Sequence, residues 1–125
     1  MIAGETFYLK ARIKEDGHLH VTIYADPADG IVTANISSDL RLEQTCMLNS
    51  GDHPFISKPS LIAYEHTKYL NPEEVTALES FGIDRKLDPV PAAVLVRIQQ
   101  GALNSNHTSP RIKALIRKAL QPKTN

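Results

Sequence analysis

The chain has 125 residues, with 14 basic and 14 acidic side chains, one Cys and no Trp. This length fits a single domain with its own hydrophobic core. The composition is that of a globular protein and excludes a collagen-like, coiled-coil or wholly disordered chain. Cys46 alone cannot form a disulfide framework. The sequence shows neither a secretory signal nor a membrane-spanning run, so we expect one cytoplasmic domain over residues 1–125.

The charge is divided unevenly along the chain. Residues 1–70 carry six basic and nine acidic side chains, a net charge of −3, whereas residues 71–125 carry eight basic and five acidic ones, a net charge of +3. The last fifteen residues hold five basic side chains and no acidic one. This asymmetry favours a local anionic partner for the C-terminal part.

The first half of the sequence has the alternation of β-strands. Apolar and polar residues alternate before and after Asp16-Gly17, which is a strong hairpin turn because Gly tolerates positive φ. Asp26-Pro27 begins a second turn. The predicted strands cover residues 6–13, 18–25, 31–37, 45–48 and 61–64.

The second half has the signals of helices. Asn71-Pro72 and Ser109-Pro110 each place a capping residue before a Pro in the first turn, and apolar residues then recur at helical spacing. The predicted helices lie near 72–81, 91–101 and 110–120. Strands followed by helices indicate a mainly β or α+β fold, a small antiparallel barrel over about 5–70 with helical additions over about 71–121.

The loop over residues 50–60 is the segment richest in chemically active side chains. His53 is a candidate general acid or base, and Lys58 can hold a phosphate as a point charge. Ser60 adds a hydroxyl donor. The structural alternative is a turn built by Gly, Asp and Pro, in which His53 is a buried anchor.

Three other features have both a functional and a structural interpretation. His18 and His20 lie on one strand face and could ligate zinc together with His53 or Cys46, but no established metal spacing supports this, and we expect no metal. Cys46 is more typical of a small buried hydrophobe than of a reactive thiol. The outer face of the last helix, with Arg117 and Lys118, is either a phosphate-binding surface or an ordinary solvated face.

Several segments together resemble the MazF/PemK-like growth-inhibiting toxins of toxin–antitoxin pairs. The most specific is Gly51-Asp52-His53-Pro54-Phe55-Ile56, which resembles a divergent branch of that family. The opening Gly4-Glu5-Thr6-Phe7, the strand ending in Ser37-Ser38 and the segment 96–102 extend the resemblance over most of the chain. Where the toxins carry Arg-Pro before the second strand, this chain carries His18 and His20.

The resemblance implies an SH3-like barrel that forms a homodimer and has an antitoxin-like protein as partner. It also implies a metal-independent, cofactor-free endoribonuclease in which the 2′-hydroxyl of single-stranded RNA attacks the adjacent phosphate. The residues that we expect to carry this chemistry are His53 as acid or base, His20 as its partner, Ser38 at the reacting phosphate, and Lys58, Ser60, Arg117 and Lys118 as substrate-binding groups. The alternatives are a non-catalytic barrel that binds a protein or nucleic acid, and a metal-binding His cluster.

Overall fold

The computed structural model describes residues 1–9, 18–83 and 85–121. Its elements are six strands and three helices, the first helix being extended by a π-helical turn over Leu78–Gly82. In chain order the strands and helices are β1 (Thr6–Leu9), β2 (His18–Asp26), β3 (Gly30–Ser37), β4 (Met47–Leu48), β5 (Ser60–Leu70), α1 (Pro72–Ala77), β6 (Arg85–Leu87), α2 (Ala92–Asn104) and α3 (Pro110–Leu120).

The six strands form one sheet in the order β4-β5-β3-β2-β1-β6, with every neighbouring pair antiparallel. Register shifts between Thr22 and Tyr24 in β2 and between Thr33 and Asn35 in β3 interrupt the two longest pairings. Bulges of this kind bend and twist strands, and the sheet curls into a half-barrel. The predicted class, a mainly antiparallel β protein with C-terminal helices, is confirmed.

The core lies between the curled sheet and the two longer helices. Val94 and Ile98 of α2 and Ile112 and Ile116 of α3 are buried in the same cluster as the inward residues of β2, β3 and β5. The buried Gln99 side chain donates to the carbonyl of Ile23 at 2.8 Å and fixes α2 on β2. The apolar faces of α2 and α3 therefore pack against the sheet within one chain.

The strands differ from prediction most in two places, while β4 is shorter than predicted and begins at Met47. β5 extends to Leu70, beyond the predicted end at residue 64, because its outer half is polar and hides the strand signal. β6 lies between helices, in the part predicted to be helical, and pairs with β1. Its three residues are too few to show any alternation. The predicted Asp16-Gly17 turn, the end of the first predicted strand and Lys123 lie outside the described residues.

The caps that were predicted for the helices are present. The Asn71 side chain accepts from the Glu74 amide at 2.8 Å, and the Glu74 carboxylate accepts from the Asn71 amide. These two bonds form a capping box at α1. The Ser109 side chain accepts from the Ile112 amide at the start of α3. No helix among residues 1–9, 18–83 and 85–121 is both long and apolar enough to cross a membrane.

Candidate functional site

A cavity of about 480 Å³ opens at one end of the sheet. The start of β2, the end of β3 and the start of β5 meet there, and the loop between β4 and β5 borders the opening. Most of its polar groups are hydroxyls, and its charged side chains are Lys58 and Asp39. The lining residues are Tyr8, His18, Leu19, Ile36, Ser37, Ser38, Asp39, Phe55, Ile56, Ser57, Lys58 and Ser60.

The loop that borders the cavity is held to α2 by an ion pair. Arg97 donates to both carboxylate oxygens of Asp52, at 3.3 and 3.2 Å, and to the carbonyl of Met47 at 2.8 Å. Asp52 also accepts from the Asn49 amide. Burial opposes ionisation of Asp52, but these bonds outweigh burial and lower the pKa of its carboxyl. The base of the loop is thus fixed to the scaffold.

The side chain of His53, a residue of this loop, is buried, and the residue is only 3% exposed. Its Nδ1 accepts from the Phe55 amide at 3.0 Å, so the ring proton belongs on Nε2, from which it is donated to the carbonyl of Asp88. The Thr6 hydroxyl donates to the same carbonyl at 2.6 Å. The structure therefore gives His53 the position of a buried anchor that ties the loop to the segment before α2.

His20 is engaged away from the cavity lining. Its ring stacks on Phe7, with the centroids 5.3 Å apart and the planes 8° from parallel. Burial first, and then the neighbouring charges of His18 and Lys68, lowers the pKa of His20 to about 4. The predicted pair of His53 and His20 does not share the cavity, and His18 lines it instead.

The three other residues predicted near this loop do meet at the cavity. Ser38 and Lys58 are exposed on its lining. Ser60 is 6% exposed, and its hydroxyl donates to the carbonyl of Lys58 at 3.0 Å. Ser60 thus supports the backbone that carries Lys58.

The predicted phosphate-binding residues of the last helix lie at the opposite end of the sheet. Lys118 pairs with Asp29 at 2.9 Å, in the turn between β2 and β3. Asp29 also accepts from Tyr24 at 2.6 Å, and burial together with this bond raises the pKa of Tyr24 to about 12. The nine residues of β2 separate this turn from the cavity, which is roughly 25 Å at about 3.3 Å per residue. Arg117, which is next to Lys118 in α3, is exposed.

Cys46 is buried and occupies the position of a small hydrophobe, as predicted. Burial raises the pKa of its thiol, which disfavours the thiolate form that reacts or binds metal. Within the described part of the chain, no three His, Cys, Asp or Glu side chains are grouped so as to hold a metal ion.

Sequence reasoning missed three of the residues that the fold brings to the cavity: Tyr8, Phe55 and Asp39. Phe55 belongs to the loop over residues 50–60, and its side chain is 46% exposed. The polar, Pro-rich loop around Phe55 was the sequence feature that could have indicated an exposed functional position. No family model matches this chain, and no curated protein is significantly similar to it.

Proposed function

We propose that this protein binds single-stranded RNA in the cavity. The observation that carries the proposal is the convergence of Lys58 with Ser38, Ser57 and His18 on one lining. An ammonium group with several hydroxyl donors matches the oxygens of a sugar–phosphate backbone. Tyr8 and Phe55 add aromatic surface, the second element that sites for single strands combine with a cation.

A protein ligand is the competing occupant of the same cavity. Grooves that bind Pro-rich peptides are lined mainly by aromatic residues, whereas four serines line this one. The hydroxyls and Lys58 therefore favour a polyanionic strand over an apolar peptide. Binding of a Pro-rich peptide in place of RNA would contradict the proposal.

The binding test compares two lysines, each replaced by alanine. Lys58→Ala removes a cation at the cavity, and Lys118→Ala removes one at the far end. A labelled oligouridine is titrated by fluorescence anisotropy at several salt concentrations. We expect Lys58→Ala to weaken binding and to reduce the slope of log affinity against log salt by about 0.7, the value for one phosphate contact on a single strand. Lys118→Ala leaves the slope unchanged.

If the two lysine variants lose affinity equally, binding follows net charge and the cavity is not the site. If only Lys118→Ala loses affinity, the basic helix is the site, as the sequence also allowed. Because Lys118 holds Asp29, a denaturation curve of each variant must accompany the titrations.

Endoribonuclease activity is the second candidate function, and His18 favours it. Cleavage requires a base that removes the 2′-hydroxyl proton as the oxygen attacks phosphorus, and an acid that protonates the departing 5′-oxygen. This leaves a cyclic 2′,3′-phosphate and a free 5′-hydroxyl. His18 is an exposed imidazole on the lining and is suited to one of these proton transfers. Asp39 is less suited, because its hydrogen bonds with Arg41 lower the pKa of its carboxyl.

The cleavage test incubates single-stranded RNA with the protein in excess EDTA. A ribonuclease of the proposed kind stays active, yields a 2′,3′-cyclic end and loses activity in His18→Ala. RNA that is bound but never cut assigns the chain to the non-catalytic alternative. Activity that EDTA abolishes contradicts a metal-independent mechanism.

The homodimer and the antitoxin-like partner are further parts of this proposal. The packing of the two longer helices does not require a dimer, since Val94, Ile98, Ile112 and Ile116 are all buried within one chain. The family resemblance remains the basis for proposing the dimer. Light scattering at micromolar concentration tests it, and a mass near 13.8 kDa would reject the dimer.

A further inference from the structure

Two aromatic rings lie together on the cavity lining. The ring centroids of Tyr8, in β1, and Phe55, in the loop, are 6.2 Å apart with their planes at 42°. Phe55 is 46% exposed, in contrast with Phe7, which is 2% exposed in the core. A half-exposed ring in a cavity is a surface on which a flat ligand can stack.

The Phe55 backbone is hydrogen-bonded within the loop and, through His53, to the segment before α2. Its amide donates to Nδ1 of His53, which is in turn bonded to the carbonyl of Asp88. The amide of Ile56, the next residue, donates to the His53 carbonyl at 3.0 Å. Tyr8 lies in a paired strand, between Leu19 of β2 and Arg85 of β6. Preorganised aromatic surface binds a ligand at a lower entropy cost than a ring on a flexible loop.

The aromatic pair lies beside the cation of the proposed site. Lys58 follows Phe55 by three residues, and both side chains line the same cavity. In a nucleic-acid strand each phosphate is joined to a base through one sugar. A strand whose phosphate meets Lys58 therefore has a neighbouring base within reach of the rings.

We propose that Phe55 and Tyr8 form a stacking platform for one unpaired base of the bound strand. This inference rests on the proposed RNA-binding function. Stacking requires a base free of its partner strand, so the platform selects single strands over duplexes. Every base has a π-face, so the platform tolerates any sequence.

The test uses two exposed phenylalanines, each replaced by leucine to remove the ring and keep an apolar side chain. Phe55→Leu alters the platform. Phe81→Leu is the matched control, since Phe81 is 92% exposed on the π-helical turn, away from the cavity. Each variant is titrated with an oligouridine and with an abasic ribose–phosphate strand of equal length. Unfolding curves of both variants check that the fold is retained.

We expect Phe55→Leu to weaken oligouridine binding about tenfold, the loss typical of one stacked base, and Phe81→Leu to leave it unchanged. The abasic strand should bind the wild type about tenfold more weakly than oligouridine and be insensitive to Phe55→Leu. Equal binding of both strands by the wild type, with a loss in Lys58→Ala alone, overturns the platform but keeps the phosphate site. Failure of the wild type to bind either strand overturns the proposed function and the platform with it.

Discussion

Replacing His53 with Ala separates a structural from a catalytic role for this residue. His53 is 3% exposed, and the substitution removes the hydrogen bond from the Phe55 amide, the one to the carbonyl of Asp88 and the 3.2 Å contact between Nε2 and the Thr6 hydroxyl. The Asp88 carbonyl keeps the Thr6 hydroxyl as a donor, which limits the loss. Each bond contributes about 1 kcal/mol, and the unfilled ring volume adds a similar amount. We expect the free energy of unfolding to fall by about 2–4 kcal/mol.

Urea denaturation followed by circular dichroism measures this change. With a denaturant slope of about 1.5 kcal/mol per M, the midpoint should fall by about 2 M. His18→Ala is the matched control, because His18 is an exposed histidine on the cavity. Its removal should change the free energy of unfolding by no more than about 0.5 kcal/mol.

A His53→Ala protein with an unchanged midpoint would refute the anchoring role. If that protein also lost RNA cleavage, His53 would be the acid or base that the sequence predicts. His53→Asn gives a second check, because an Asn oxygen can accept from the Phe55 amide in place of Nδ1. If His53 is an anchor, His53→Asn should be more stable than His53→Ala. If His53 is an acid or base, His53→Asn should recover none of the lost RNA cleavage.

Two further predictions concern pH and packing. Because burial lowers the pKa of His20 from 6.5 to about 4, the unfolded chain takes up a proton first as the pH falls. Stability should therefore decrease between pH 6.5 and 4 by up to about 1.4 kcal/mol per pH unit. His20→Gln should flatten this slope and exposed His66→Gln should not, as urea curves at each pH will show. Gly101→Ala would bring a Cβ within 2.3 Å of the Tyr64 hydroxyl and should cost about 1–3 kcal/mol. Gly51→Ala, with nothing within 4 Å, should leave the thermal midpoint unchanged or raise it slightly.

The sequence alone determined the class of fold and most of the elements. Alternating apolar residues predicted β2 and β3 nearly to their ends, although burial itself does not alternate there, since residues 21–24 and 30–34 are buried without a break. Asn71 and Ser109 located two helix starts, because capping is a local interaction between a side chain and the next few amides. The burial of Cys46 followed from the usual preference of a free Cys for the protein interior.

Tertiary structure decided what each candidate residue of the site can do. His53 and Lys58 lie five residues apart in one loop, yet one is buried beneath it and the other is exposed on the cavity. That difference comes from Thr6 and the Asp88 carbonyl, which are distant in sequence and reach His53 only after β1 and the segment before α2 pack against the loop. The local sequence pattern predicts strands, caps and turns because the interactions that form them span only a few residues. Access to solvent and the pairing of distant groups depend on contacts that only the folded chain makes.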